Sequence, residues 1–386
     1  MKKTQVALAA LALMASTAAL ASEVKLSGVI DLGIANTTKD ANGAGGTFLE
    51  QGNLMDHSSI DIDVSEDLGG GMKAYASLGM GFDGNGYNDN GGTAQGYATH
   101  TSLFNRQSFL GLSGSFGSIQ LGKQLSPFIL SGVQSTGGVG SFYVQRLLMG
   151  NYTAGATLAA MGSGINAAGF FVTNAVQYTS PDINGFTLRA LITTNNGTHN
   201  NALNRDYRVN DGASNPSTGS NKYQAFSLSG SVGPAFLTAA YQKRGDTEAG
   251  YTGATDTFGA AGNKSWLIGG TMPLSDTGFG LSGGYMNSKI SGADAVKSWN
   301  AGVDYAISGA TKAILQYATS DQFDDKQTLT NFTVTHALSK STTTYVTLAR
   351  GTNGIISALG NFKSSTAPAT YDRTNNSFIV GVAKTF

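Results

Sequence analysis

The chain has 386 residues, balances 24 basic against 24 acidic side chains, is only 12% charged and contains no cysteine. The charge balance excludes a nucleic-acid partner, which needs a basic surface, and the missing cysteines exclude a disulfide framework. Glycine is abundant (53) and proline rare (6), with 15 tyrosines and 19 phenylalanines. These glycines lie among Tyr, Phe, Val and Thr in short alternating runs, which points to strands and turns rather than disorder.

The first 21 residues, MKKTQVALAALALMASTAALA, place Lys2 and Lys3 before an apolar run from Val6 to Met14 and close on Ala19-Leu20-Ala21. Basic start, short apolar core and small-residue end are the parts of a cleaved secretory signal peptide. The expected mature chain is one domain over 22–386, and losing Lys2 and Lys3 leaves 22 basic against 24 acidic residues. No later segment has the roughly 18 consecutive apolar residues of a transmembrane helix.

From residue 23 onward the apolar pattern has period two. In EVKLSGVIDLGIAN, Val24, Leu26, Ile30, Leu32 and Ile34 line one face, and Lys25, Ser27, Val29 and Asp31 the other. Strands are expected over 23–36, 57–67, 71–83, 103–114, 118–124, 168–180, 184–194 and 222–232. The second half continues with 235–244, 263–273, 279–289, 297–307, 310–320, 327–337, 341–350 and 375–386. KSWNAGVDYAI alternates cleanly, whereas STTTYVTLAR, over 341–350, has little apolar contrast. In the last segment, NNSFIVGVAKTF, Phe378, Val380, Val382 and Phe386 share a face with Lys384, whose ammonium can reach an interface while its stem stays in lipid.

Alternation alone fits a soluble sandwich as well as a barrel. Length and spacing separate the two. The sixteen segments run to about ten residues each, the length that crosses a bilayer at a steep tilt. Short connections (Asp67-Leu68-Gly69-Gly70, Ser180-Pro181-Asp182-Ile183, Gly233-Pro234, Ser308-Gly309) alternate with long polar ones at 38–56, 84–102, 195–221, 245–262 and 351–374. The expected fold is all-β: a closed antiparallel transmembrane β-barrel of about 16 strands in the outer membrane, closed because lipid cannot hydrogen-bond a free sheet edge. Residues 125–167 differ from the other connections. They hold Phe128, Ile129, Leu130, Phe142, Tyr143, Leu147, Leu148 and Met149. A loop so long and apolar is expected to fold into the barrel and narrow it.

LSGVIDLGI, SEDLGGGMKAY (65–75), NRQSFLGLSGSFGSIQLGKQ (105–124), NAVQYTSPDINGFTL (174–188) and the terminal Phe386 come in one order behind the signal peptide. In this the chain resembles the general diffusion porins of Gram-negative outer membranes, the sixteen-stranded trimeric family of the beta-proteobacterial type. The resemblance implies a water-filled pore for passive diffusion of small hydrophilic solutes and ions, and a third external loop folded inward. It also implies a homotrimer in contact with outer-membrane lipid and lipopolysaccharide. The family's basic residue after the fifth strand, which faces the constriction, corresponds to Lys123. Two family arginines are replaced, at Ser59 and at Phe171.

From Asn90 to Pro181 there is no acid, and the bases are Arg106, Lys123 and Arg146. The expected constriction is therefore Lys123, Arg106 and Arg146, with Asp31 or Asp304 as acids from other walls. Its transverse field is weak and mildly favours anions. Arg106 serves equally well at a subunit interface.

GSIQLGKQ (117–124) matches seven of eight positions of a phosphate-binding loop, but Gln124 replaces the Ser or Thr and Pro127 breaks the required helix. Asp56-His57-Ser58 has the residue types of a hydrolytic triad, yet adjacent side chains diverge. His57, His100, His199 and His336 have no ligand spacing. Asp321, Asp324 and Asp325 fit a solvated loop, or a divalent ion bridging to lipopolysaccharide. No enzyme activity, cofactor or resident metal is expected. A substrate-specific channel is the alternative, followed by a barrel enzyme of the outer membrane, which normally has fewer strands.

Overall fold

The computed structural model describes residues 23–38, 46–51, 58–82, 104, 106–137, 144–145, 171–193, 223–244, 264–289, 295–322, 325–352 and 375–386. The expected signal peptide, 1–21, and Arg146 lie outside them, as do Asp56, His57, His100, His199 and Asp324.

Seventeen strand segments form one antiparallel sheet that closes on itself. In chain order they begin β1 (Glu23–Thr37), β2 (Gly46–Gln51), β3 (Ser59–Gly69), β4 (Met72–Gly81), β5 (Ser108–Gly114) and β6 (Gly117–Leu125). After the helix α1 (Pro127–Gln134) come β7 (Phe171–Thr179), β8 (Phe186–Thr193), β9 (Tyr223–Val232), β10 (Ala235–Arg244), β11 (Lys264–Leu274) and β12 (Phe279–Lys289). The last are β13 (Val296–Ala306), β14 (Thr311–Gln322), β15 (Asp325–Ser339), β16 (Thr342–Gly351) and β17 (Asn375–Thr385). From β3 to β17 each pairs with its chain neighbours, β2 and β3 both pair with β1, and β1 pairs with β17 from Val29↔Thr385 to Thr37↔Ser377. Beyond that ladder Gly28 N–H donates to Phe386 O at 3.0 Å, and Phe386 N–H donates back to Gly28 O at 3.1 Å. The two ends of the sheet are thereby joined, as a sheet in lipid requires.

Two elements correct the sequence reading. The expected loop 38–56 contains β2, which pairs with Leu32–Thr37 of β1, while β3 pairs with Glu23–Val29. The two segments are halves of one interrupted stave, so seventeen segments make sixteen staves. GTFLEQ is too short to show a period by itself; the free upper ladder of β1 defines it. The second correction is α1. Pro127 does not prevent a helix but opens one, because the first helical position needs no N–H partner. Ser126 caps it, accepting from Phe128 N–H at 3.2 Å. Lys123, four residues earlier, is still in strand, so the phosphate-loop geometry does not arise.

Strand parity sorts the side chains by face. Leu26 (61% exposed), Ile34, Leu110, Leu121, Ile268 and Leu348 point outward, while the buried inward positions are largely hydroxyls and amides such as Ser227, Gln242, Ser298, Gln316, Asn331 and Thr347. Apolar outside and polar inside inverts a soluble core and matches a barrel wall between lipid and water. Among the described residues no helix is long and apolar enough to cross a membrane, so the crossing elements are strands. The hydroxyls pair across strands: Ser265 with Ser288 at 2.7 Å, Ser298 with Ser320 at 2.8 Å, Thr333 with Thr347 at 2.9 Å. Lys384 behaves as its sequence position implies, its Nζ donating to Ser341 Oγ of the β15–β16 turn at 2.6 Å.

Candidate pore constriction

The apolar loop after β6 turns inward as far as it is described. α1 lies along the inner wall against β8, β9, β10 and β11. Phe128 and Ile129, both fully buried, pack into a small apolar cluster with Val172, Leu191, Leu267 and Met286. Each such burial contributes about 1.5–3 kcal/mol, enough to hold a short helix that would not form alone.

Polar contacts then track around the wall. The single phenolic proton of Tyr223 goes to Gln242 Oε1 at 2.9 Å, which leaves Ser126 Oγ as the donor in its 2.7 Å contact with Tyr223. Thr238 Oγ1 donates to Ser131 Oγ at 2.8 Å, and Ser229 Oγ to Gln134 Oε1 at 3.2 Å. Gln316 Nε2 donates to Thr136 O at 2.6 Å. Glycine makes room for this path: a β-carbon at Gly269 would collide with Ser135, and one at Gly284 would meet Ser135 Oγ at 2.7 Å. The segment Ser126–Gly137 thus runs across the inner faces of β9 to β14 without one charged residue.

The charges stand elsewhere on the inner wall. β3 sends Ser59, Asp61 and Asp63 inward, because Ile60, Ile62 and Val64 take the outer parity. Opposite Gly79, Arg106 and Gln107 form a bulge: Gly79 N–H donates to Gln107 O at 2.8 Å and Arg106 N–H to Gly79 O at 3.0 Å. Both side chains therefore crowd over Gly79, where a methyl would run into Asp61 Oδ1 and Gln107. Gln107 Nε2 donates to Ser77 Oγ at 2.7 Å and to Asp61 Oδ1 at 3.3 Å, and Ser77 Oγ donates to Asp63 Oδ1 at 2.6 Å. The Arg106 guanidinium interacts with the Asp61 carboxylate and lies 5.1 Å over the Phe171 ring. Phe171, where the resemblance implies an arginine, is here the platform for one.

Lys123 sits at a second irregularity. It faces Ser108 in the β5 ladder, but the β6–β7 register shifts between Gly122 and Gln124, and Gly122 adopts φ +132°. Regular alternation puts Lys123 in the row of Leu121; the extra residue of the bulge lies on β7, between Val172 and Ala175, so in β6 only the Gly122 backbone departs from a regular strand, and the Lys123 side chain is half-buried. Asp31 belongs to the inner face but is fully buried, accepting from Tyr345 Oη at 2.7 Å. Asp304, the other acid considered, pairs with Lys312 at 2.7 Å. Among the described side chains, those two are the only charges on the inner faces of β9–β17.

The sequence reading thus names Arg106 but not its partner Asp61, nor Asp63 beside that carboxylate, nor the inward Arg189 on β8. Parity in SSIDIDVSEDLG and FTLRALIT was the signal for these three.

A profile of the Gram-negative porin family matches residues 7–355. The chain is 31% identical over 370 residues to outer membrane porin protein 32 of Delftia acidovorans, covering 93% of this chain and 92% of that one. Its fold is similar to that of an anion-selective porin from Comamonas acidovorans, with TM-score 0.69 and 21% identity over 95% of this chain and all of the other. The trimer form of OmpT of Vibrio cholerae superposes with TM-score 0.55 at 12% identity, covering 95% of this chain and 100% of that one. By profile, identity and a closed sixteen-stave barrel, the chain belongs to the Gram-negative porin family of the outer membrane.

Proposed function

We propose that this porin is a passive diffusion channel for small hydrophilic solutes and ions, with a weakly charged constriction that mildly favours anions. The observation that carries the reading is the uncharged path of Ser126–Gly137 across the lumen wall. A constriction filters by size and by the sign of the charges around it. With no acid on the inward segment, Arg106 and Lys123, joined by Arg146, set the sign. Asp61 and Asp63 beside Arg106 keep the preference small. Asp31, held under Tyr345, acts through the wall rather than on the solute. The working unit is a homotrimer of chains that have lost residues 1–21, and no catalytic step is involved.

The test is reconstitution in a planar bilayer. Stepwise conductance that rises linearly with salt supports an open diffusion pore. Conductance that a single solute blocks saturably would replace general diffusion with a substrate-specific channel.

A further inference from the structure

Beside the inward helix stands an arginine that no described side chain holds. On β8, Leu188 and Ile192 are exposed on the outer face, so Arg189 shares the inward parity of the buried Leu191. Among the described residues Arg189 forms neither an ion pair nor a hydrogen bond. Arg106, by contrast, has Asp61 and the Phe171 ring, and Lys312 has Asp304.

Its neighbours fix its height in the barrel. Two residues toward the external end, Leu191 belongs to the cluster around Phe128. Two residues the other way, Thr187 faces Ser229, whose Oγ donates to Gln134 Oε1. Arg189 therefore stands at the level of α1, which lies against β8 and carries no charge. Its side chain is half-buried, and the remainder faces the lumen. The inward connection from Ser126 to Phe171 contains no Asp or Glu. The acid of the β7–β8 turn, Asp182, is exposed and accepts from Gly185 N–H at 2.9 Å.

Hydroxyls flank the guanidinium. The ladder partners of Arg189 are Thr179 on β7 and Ser227 on β9, and neighbouring strands lie about 4.8 Å apart. Ser227 is 2% exposed, and its Oγ has no hydrogen-bond partner. Thr179 is half-buried, and its hydroxyl makes no hydrogen bond among the described residues. An unpaired buried hydroxyl costs free energy. Ser227 Oγ can accept one guanidinium N–H, which leaves the other N–H groups to a solute. Thr179 Oγ1 adds a donor on the opposite side.

These donors select among anions. A guanidinium fork meets a planar carboxylate with two parallel N–H···O bonds, an arrangement that a spherical chloride cannot match. One positive charge balances one negative charge. Resting on the diffusion-pore reading above, we infer that Arg189, flanked by Thr179 and Ser227, is a transit site for small monocarboxylates on the lumen wall beside α1. A solute that binds there enters the narrow level more readily, and the exposed half of the site lets it leave.

The test is the zero-current potential of the purified porin in a planar bilayer with potassium chloride on one side and potassium formate on the other. This reads the permeability ratio of formate to chloride. Arg189→Gln is expected to lower that ratio about three- to fivefold, the size of an exposed ion pair. Ser227→Ala is expected to lower it less. Arg189→Lys keeps the charge without the fork, so it is expected to keep the preference of chloride over potassium yet lose the formate advantage. An unchanged ratio in Arg189→Gln overturns the site, and this is the result expected if Asp206 or Asp211 neutralises the arginine. A full formate advantage in Arg189→Lys overturns the fork. Conductance steps in the same membranes show that the pore is open, so a missing carboxylate site and a failed diffusion channel are distinguishable. Should Arg189→Gln not fold, Arg189→Lys and Ser227→Ala decide it.

Discussion

Tyr345 on β16 reaches across the whole width of β17 to donate its hydroxyl proton to Asp31 on β1 at 2.7 Å. The ring lies over Gly381, its ladder partner, and its oxygen is 3.2 Å from the place where a β-carbon on Gly33 would sit. Three staves are thereby tied at the seam where the two ends of the barrel meet. A carboxylate without exposed surface needs such partners, and a tyrosine can reach this one only because two glycines leave the wall flat.

Removing the hydroxyl should therefore loosen the seam. Tyr345→Phe is expected to destabilise the barrel by about 1–3 kcal/mol, the cost of losing one hydrogen bond to a buried charged acceptor. Thermal loss of the β-sheet circular dichroism signal measures it. Asp31→Asn, which still accepts from the tyrosine, should cost less.

Adding one carbon beneath the ring tests the same geometry from the other side. At Gly381 a methyl would collide with the Tyr345 ring. Gly381→Ala is expected to cost about 1–3 kcal/mol through overpacking, and little of that should return in the double variant Gly381→Ala/Tyr345→Phe, because the ring carbon Cζ stands as close to the added methyl as the hydroxyl does. Equal stability of Gly381→Ala and wild type would mean that the ring does not lie where it is placed.

The inward helix is held by two side chains, and its release should be audible in the current. Phe128→Ala removes a fully buried ring from the wall cluster, a loss of about 3–5 kcal/mol at that anchor. The expected result is larger or noisier single-channel conductance with the barrel still folded, because the cluster anchors the loop rather than the staves. Conductance identical to wild type would remove this segment from the constriction.

Charge at the Arg106 cluster sets the fourth expectation. Asp61 and Arg106 interact on the inner wall, so removing either should shift selectivity in opposite directions. Asp61→Asn is expected to raise anion preference and Arg106→Gln to lower it, both read as zero-current potentials under a salt gradient. Shifts of the same sign would show that the two residues act through structure and not through their charge.

Much of this barrel was legible because lipid imposes period two on every stave. β17 and β13 stand where their alternation places them, and even STTTYVTLAR, with little contrast, became β16: its inward Thr343, Tyr345 and Thr347 are polar but its outward Val346 and Leu348 are not. What escaped was non-periodic. β2 is defined by the ladder left open on β1, not by its six residues. The bulge at Arg106–Gln107 suspends the alternation at one basic residue of the proposed constriction, so counting parity from a neighbouring strand misplaces it. Asp61 and Asp63 were readable from the isoleucines between them. An acid-free run of sequence is not an acid-free surface when strands far apart in the chain stand side by side.

The central claim is a weakly charged lumen that mildly favours anions, and the zero-current potential of the wild-type porin in a planar bilayer under a salt gradient tests it most directly. The account predicts a small potential on the anion-selective side that shrinks in Arg106→Gln and in Lys123→Glu. A strong cation-selective potential would contradict it, placing the Asp61–Asp63 side of the wall in control of the pore.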